Sequence, residues 1–232
     1  MTSSLRQRQM LKTMGIPVWS ARRDIAGQKP VDAFEHLPAE KKPQTLLTDD
    51  WPMLQQKVAD CTACELHLSR SNPVFGTGNR QAELLMIGDA PEKQEDLKGE
   101  PFLGPAGHLL NEMLFALGFC RDQVYMTNAI KCFSAEGRRP SSLEIESCVQ
   151  FVFQQIRLVR PKLILCLGAV SSQCLLGSKE PIGRLRGRLY VQQDTGLPLV
   201  ATYHPAYLLR NPLKKNVVWR DLLLVKKQLG DS

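Results

Sequence analysis

The chain has 232 residues, of which 43% are hydrophobic and 23% are charged, and its formal net charge is +7. This length predicts one domain with an appendage or two small domains, and the hydrophobic share excludes a wholly disordered chain. No apolar run reaches the ~18–20 residues that cross a bilayer, and the first ten residues lack the apolar stretch of a secretory signal. We therefore expect a cytosolic (cytoplasmic) protein with no membrane partner, whose positive charge permits a polyanionic partner without establishing one.

The first 50 residues differ in pattern from the remainder of the chain. Apolar side chains recur at near-helical spacing up to Met14, and a short apolar patch follows before two arginines. Residues 25–50 combine three prolines with scattered charges and predict a flexible linker. On this pattern alone, residues 1–24 are either a disordered end or a peptide that docks on a partner. The candidate docking residues are Leu11, Met14, Ile16, Trp19 and Arg22.

From Trp51 onward, segments typical of strands alternate with segments typical of helices. The helix that follows the second strand opens with Ser141-x-x-Glu144, a capping box that satisfies the first amides of a helix. The alternation predicts an α/β fold with three α/β/α layers and a mostly parallel central sheet over residues 51–232. Strands are predicted at 83–88, 124–128, 162–168 and 198–204, and helices at 107–118, 141–160, 170–176 and 213–229.

Polar residues stand at the carboxyl ends of three predicted strands. Gly88-Asp89 ends the first strand, Asn128 ends the second, and His204 ends the last. Parallel sheets bind ligands beyond the carboxyl ends of their strands. We therefore expect these three signals to converge on one edge of the sheet.

Four of the seven cysteines form two pairs outside the predicted strands. Cys61 and Cys64 make a C-x-x-C motif before the first strand, while Cys132 and Cys148 flank the loop after the second. Such a set fits a four-thiolate zinc site, a [4Fe–4S] cluster or plain buried thiols, and spacing does not separate these. The other three, which lie in apolar sequence and are expected in the core, are Cys120, Cys166 and Cys174.

From about Trp51 to its end, the chain resembles the family 4 uracil-DNA glycosylases, the iron–sulfur branch of that superfamily. The resemblance implies hydrolysis of the N-glycosidic bond of deoxyuridine in DNA. It also implies a structural [4Fe–4S] cluster on Cys61, Cys64, Cys132 and Cys148. The matching stretches, in family order, are CTACELHLSR, IGDAPEKQEDLKGEPFLGPAGHLLNEML, VYMTNAIKC, PSSLEIESC, RPKLILCLGAV, LRGRLY and TYHPAYLLRNPLKKNVVWRDL.

The same resemblance implies a role for each matched site residue. Asp89 would orient or activate the attacking water, and Phe102 would stack on the flipped base. The side-chain amide of Asn128 would pair with uracil O4 and N3–H. His204 would donate a hydrogen bond to uracil O2 as negative charge develops on the leaving base. Gly88, Ala90 and Pro91 would line the pocket around them.

A second group of matched residues would contact DNA outside the pocket. Leu208 and Leu209 resemble the wedge that fills the space left by the flipped nucleotide. Basic side chains in GRLRGR and after HPAYLL are expected on phosphates, which would make binding salt-dependent. These are Arg184, Arg186, Arg188, Arg210 and Lys214.

The first motif departs from the family pattern Gly-Glu-(Ala/Gly)-Pro-Gly. Asp89 keeps a carboxylate but is one methylene shorter, and Glu92 stands where the family has glycine. The stretch after Cys132 also differs, with Phe133-Ser134-Ala135 in place of the usual Arg-Pro-Pro.

The arm has a resemblance of its own. Residues 11–23, LKTMGIPVWSARR, are similar to the amino-terminal peptide of the psi subunit of the bacterial DNA polymerase III clamp loader. That similarity implies docking on clamp-loader subunits and an association with replication at the bacterial nucleoid. It leaves a second hypothesis open, in which the chain is a non-catalytic, psi-like accessory subunit built on a glycosylase fold.

Overall fold

A computed structural model describes residues 50–134 and 138–230. These residues belong to one compact unit, Gln44–Ser232. The predicted arm, 1–24, and nearly all of the predicted linker lie outside the described residues. The α-helices are α1 Trp51–Ala59, α2 Lys93–Lys98, α3 Gly104–Leu117, α4 Ser142–Val159, α5 Ala169–Leu176, α6 Ile182–Leu185, α7 Pro205–Arg210 and α8 Lys215–Leu229. Short 3-10 helices cover Glu65–Leu68, Arg121–Gln123 and Pro212–Lys214.

The described residues contain one six-stranded sheet in the order β1-β3-β2-β4-β6-β5. Neighbouring strands among β2, β3, β4 and β6 are parallel, whereas the edge strands β1 and β5 pair antiparallel with β3 and β6. The chain runs from β2 to β3 on one side and then returns to β4 on the other. This reversal makes the carboxyl end of β2 the position where an open α/β sheet binds ligands. The strands are β1 Thr77–Gly78, β2 Leu84–Gly88, β3 Tyr125–Asn128, β4 Leu163–Leu167, β5 Leu189–Val191 and β6 Pro198–Thr202.

The sheet is covered on both faces by apolar side chains. Along β2, Leu85 and Ile87 face one core while Leu84 and Met86 face the other, because successive side chains of a strand point to opposite faces. The first core includes residues of α1, α4 and α5, and the second includes residues of α3 and α8. The three-layer α/β/α prediction is thus confirmed.

The predicted elements match the observed ones closely where burial dictates the pattern. All four predicted strands are present, and α4 begins as a capping box, with the Glu144 amide donating to Ser141 Oγ at 3.3 Å. The sequence pattern does not predict the two short edge strands or the helices α1, α2, α6 and α7. These elements are too short or too exposed for their apolar residues to recur at a regular helical or strand spacing. Within 50–134 and 138–230, no helix has the length and apolarity needed to span a membrane.

Candidate active site and cysteine cavity

The predicted pocket residues meet at the carboxyl end of β2. Gly88 pairs in register with Asn128 of β3, so the ends of the two strands lie side by side. A Cβ on Gly88 would overlap Asn128 Oδ1 and come within 2.7 Å of Phe102 Cζ. The absence of a side chain at this position therefore lets the amide and the aromatic ring approach the same point.

Asn128 brings an unsatisfied amide to this point. Its side chain is 1% exposed, and its Nδ2 has no hydrogen-bond partner among the described residues. A buried amide donor without a partner costs roughly 1–3 kcal/mol, a cost that a ligand acceptor removes. Asn128 is therefore arranged to bind a ligand that carries a hydrogen-bond acceptor.

Phe102 covers the pocket in an unusual backbone conformation. Its φ is 56°, in the left-handed region that non-glycine residues rarely adopt. The Phe102 ring is buried and stacks against the His204 ring, with centroids 6.0 Å apart and planes at 25°. Strained backbone of this kind persists where the surrounding structure enforces it, and it clusters at binding sites.

His204 is held in one tautomer by the helix that it begins. It is the N-cap of α7, and the Ala206 N–H donates to His204 Nδ1 at 3.2 Å. Nδ1 is thus the acceptor, which leaves Nε2 to carry the proton. Burial lowers the pKa of His204, and the nearby Asp89 and Glu92 carboxylates oppose that effect only in part. The ring is therefore a neutral N–H donor that lies beside the Phe102 ring.

Asp89 is bound by the amino terminus of α5. Its Oδ1 accepts from the Ser171 N–H at 2.8 Å and from the Ser171 hydroxyl at 2.9 Å, and its Oδ2 accepts from the Ala169 N–H at 3.1 Å. The N-cap of α5 is Gly168, which has no side chain to cap the helix, so Asp89 performs that task from the neighbouring strand. The carboxylate is consequently held in place by three hydrogen bonds at the start of α5.

A buried lysine that no sequence motif indicates contacts the backbone of Asn128. Lys131 is 1% exposed, and its Nζ donates to Thr127 Oγ1 at 2.5 Å, Asn128 O at 2.9 Å and Gln155 Oε1 at 2.7 Å. Burial lowers the pKa of Lys131 to about 7. A lysine between a strand end and a cysteine carries no sequence signal that separates it from a surface charge.

The four paired cysteines line one cavity on the other side of Lys131. Cys61, Cys64, Cys132 and Cys148 all contribute to its wall, together with Arg70. The Arg70 guanidinium donates to Cys132 Sγ at 3.1 Å, and the Lys131 backbone N–H donates to Cys148 Sγ at 3.2 Å. Burial raises the pKa of the Cys148 thiol to about 12.

The donor set of this cavity suits a group that binds through sulfur. Four thiols face it, and N–H donors are already directed at two of the sulfurs, as thiolate ligands require. Among the described residues, however, no three His, Cys, Asp or Glu side chains are grouped closely enough to hold a single metal ion.

The three remaining cysteines do not share one environment. Cys166 is fully buried, as expected, but Cys120 is exposed and Cys174 is half-buried. The expectation that all three fill the core is therefore wrong for Cys120. That residue is the N-cap of the 3-10 helix Arg121–Gln123, none of whose residues is buried.

The structure separates the two leucines of the predicted wedge. Leu208 is 1% exposed and packs in the core with residues of α3 and α8, so its side chain is not available at the surface of this structure. Leu209 is 42% exposed on the same short helix. Adjacent helical residues point in different directions, which is why only one of the pair faces solvent.

The predicted phosphate contacts also divide into two groups. The Arg186 guanidinium is bound by other residues of the protein. It pairs with the buried Asp221, donates to Val217 O at 2.6 Å and lies over the Tyr203 ring. It is therefore not available as a free phosphate contact in this structure. The exposed members of the set are Arg184, Arg188, Arg210 and Lys214.

The remaining predicted residues are placed as follows. Ala90 and Pro91 continue the turn from Asp89, with Pro91 buried and Ala90 partly buried. The candidate docking residues of the arm lie outside the described residues. They are Leu11, Met14, Ile16, Trp19 and Arg22.

Comparisons with known proteins show what the whole chain is similar to. The family described as the uracil DNA glycosylase superfamily matches residues 75–223. A type-4 uracil-DNA glycosylase of Archaeoglobus fulgidus is 39% identical over 163 residues, 68% of this chain and 82% of that protein. Type-4 enzymes of Pyrobaculum aerophilum (36% identical; 75% of this chain, 92% of that protein) and Thermotoga maritima (38%; 68% and 83%) are similarly related.

Proposed function

The chain belongs to the uracil-DNA glycosylase superfamily, and we propose that it hydrolyses the N-glycosidic bond of deoxyuridine in DNA. The products would be free uracil and an abasic site, which places the protein in DNA base repair. The observation that carries this proposal is the buried Asn128 amide, whose Nδ2 has no partner among residues 50–134 and 138–230 and whose side chain lies beside the Phe102 ring at Gly88.

In this proposal Asn128 and Phe102 select the base. The Asn128 amide offers one donor and one acceptor, which match uracil O4 and N3–H. The Phe102 ring would stack on the flipped base, and base–aromatic stacking contributes about 1–3 kcal/mol toward the cost of flipping. The Asn128 carbonyl oxygen would accept a hydrogen bond from uracil N3–H. Cytosine has an acceptor at N3, so it would leave this oxygen without a hydrogen bond.

His204 and Asp89 would act on the bond that breaks. As the glycosidic bond lengthens, negative charge develops on uracil O2 and positive charge on the sugar. The Nε2–H of neutral His204 would donate to O2, and the fixed Asp89 carboxylate would stabilise the sugar cation. A carboxylate has about four acceptor positions, and three donors occupy Asp89, which leaves capacity to orient the attacking water.

DNA would approach from the side where Leu209 and the exposed arginines lie. We assign the wedge role to Leu209 and phosphate contacts to Arg184, Arg188, Arg210 and Lys214, since these side chains face solvent. Arg186 would instead stabilise the base of this surface through Asp221. Neutralising any one of the four exposed charges should reduce the salt dependence of DNA binding.

We propose a [4Fe–4S] cluster for the cysteine cavity, with Cys61, Cys64, Cys132 and Cys148 as its ligands. All four cysteines line the cavity, and the resemblance to the iron–sulfur branch of the glycosylases favours a cluster over a zinc ion, which also takes four cysteine ligands. A cluster binds each cysteine through a different iron, so its ligands lie farther apart. The cluster would stabilise the fold around the cavity and takes no part in the hydrolysis.

A labelled single-stranded oligonucleotide with one uracil tests the proposed activity. The protein should release uracil and leave an alkali-sensitive site, whereas His204→Ala should be slower by about 10²–10³-fold, the cost of losing one such donor. A wild-type rate equal to that of His204→Ala would reject the glycosylase and favour the non-catalytic accessory subunit.

We propose separately that residues 1–24 dock on a clamp loader. The support is the similarity of residues 11–23 to the psi peptide. A full-length chain and a chain without residues 1–24 should then differ in co-elution with a clamp-loader core, while both retain excision activity. Equal behaviour of the two chains would remove the replication partner and leave the glycosylase unaffected.

A further inference from the structure

Two loops of the active site are joined by one buried carboxylate, that of Glu95 on α2. Glu95 Oε2 accepts from the Glu92 N–H at 2.8 Å, at the end of the Asp89 turn. Glu95 Oε1 accepts from the Leu103 N–H at 3.2 Å, directly after Phe102. Glu95 is almost fully buried, so both bonds form away from solvent.

The backbone at Phe102 and Leu103, which Glu95 holds, is strained and closely packed. Phe102 has a φ of 56°, and Gly107 passes so close that a Cβ there would overlap the Phe102 carbonyl oxygen. Left-handed backbone at a bulky residue is strained and persists only where surrounding bonds enforce it. A second anchor lies on the other side, where Arg121 Nη2 donates to Pro101 O at 2.5 Å.

We propose that Glu95 is a positioning residue for uracil excision, which fixes the Phe102 ring in its stacking position and ties it to the Asp89 turn. This inference rests on the proposed glycosylase function. Its carboxylate is engaged by the backbone N–H groups of Glu92 and Leu103, and it acts on excision through the position of the Phe102 ring. Its two carboxylate oxygens each receive one N–H, an arrangement that glutamine cannot reproduce because it has one acceptor oxygen.

The chain supplies a matched control in the next residue. Asp96 is equally buried on the same helix, and its carboxylate also accepts two backbone amides, those of Ser71 and Asn72. Those amides belong to a different loop. Asp96→Asn should therefore cost stability as Glu95→Gln does, without moving Phe102.

A double-mutant cycle in single-turnover uracil excision tests the inference. Phe102→Ala should slow excision by about 5- to 150-fold, the loss of one stacked base. Glu95→Gln should slow it by about tenfold, and the double variant should be no slower than Phe102→Ala alone. Asp96→Asn should have the same effect in both backgrounds.

Arg121→Met provides an independent route if Glu95→Gln does not fold. It removes the second anchor from a partly exposed side chain, and its effect should likewise disappear in the Phe102→Ala background. Glu95→Gln or Arg121→Met acting independently of Phe102 would overturn the inference. A wild-type chain that excises no uracil would instead refute the proposed function.

Discussion

Ser171 donates twice to a single oxygen of Asp89, through its backbone N–H at 2.8 Å and its hydroxyl at 2.9 Å. This pair joins the end of β2 to the start of α5 across neighbouring strands of the sheet. The shorter aspartate side chain is thereby drawn to a helix terminus, which fixes its position. Aspartate stands in the first motif where the family has glutamate, and in this structure the shorter side chain is held by the start of α5.

This contact predicts that Ser171 affects catalysis by positioning Asp89. Ser171→Ala removes one of three bonds to Asp89 and should lower kcat roughly tenfold, because small displacements of a catalytic group are costly. Ser172→Ala is the matched control, since its hydroxyl donates to Gly168 O within the same helix and does not reach Asp89. Equal kcat values for the two variants would contradict the prediction.

The close approach at β2 predicts that Gly88 tolerates no side chain. Gly88→Ala would displace Asn128 Oδ1 or the Phe102 ring and should abolish detectable excision, with far-UV circular dichroism unchanged. Gly183→Ala is the control, because its Cβ would lie 3.6 Å from Tyr203 Oη, an ordinary contact. An active Gly88→Ala enzyme would show that the pocket is not formed by these two side chains.

The bond from Ala206 predicts the protonation state of His204. Nitrogen-15 NMR of the free protein should show Nδ1 unprotonated and Nε2 protonated at pH 7, with the exposed His108 as a reference in the same spectrum. Because burial lowers the pKa of His204, the folded state binds this proton less readily than the unfolded state. The contribution of neutral His204 to the free energy of unfolding is therefore fully present above its unfolded-state pKa of about 6.5. It is lost as the pH falls through the lower pKa of the folded state. A His204 that titrates above pH 6.5 would contradict this prediction.

The cysteine cavity predicts a coloured protein. Anaerobically purified wild type should show broad visible absorbance with about four irons per chain, whereas Cys148→Ser should lose the colour and melt at lower temperature. Cys120→Ser, an exposed cysteine outside the cavity, should keep both properties. A colourless wild type that binds one zinc ion would overturn the cluster assignment.

The capping box of α4 predicts an acid-sensitive contribution to stability. Hydrogen bonds from Arg138, at 2.6 and 2.9 Å, lower the pKa of Glu144 to about 2. That stability is present above the unfolded pKa of about 4.3 and lost as the pH falls toward 2. Glu144→Gln should cost about 1–2 kcal/mol of unfolding free energy at pH 7, limited by the exposure of Arg138. The difference from wild type should shrink toward pH 2.

Glu146→Gln, an exposed residue of the same helix, is the control for Glu144. It should leave the unfolding free energy unchanged across this range of pH, as surface substitutions usually do. If the loss of unfolding free energy in Glu144→Gln is constant from pH 7 to pH 3, that loss comes from packing and not from the charge of Glu144.

The sequence by itself determined the class of fold and the order of its central strands along the chain. The apolar runs from Leu84 and Leu163 match strands buried on both faces, and such runs admit few other structures. Motifs placed Asn128 and His204 at strand ends, because a strand end is a local property that turn residues and polarity reveal.

Only the tertiary structure decided which side chains act together. Leu208 and Leu209 are alike in sequence, yet one packs in the core and the other faces solvent. The sequence indicates a DNA contact for Arg186, but Asp221, 35 residues later, engages its guanidinium. Glu95 and Lys131 carry no motif that signals their contacts, since these depend on loops that meet only after the sheet has formed. Partners distant in sequence are fixed by packing, which no local pattern determines.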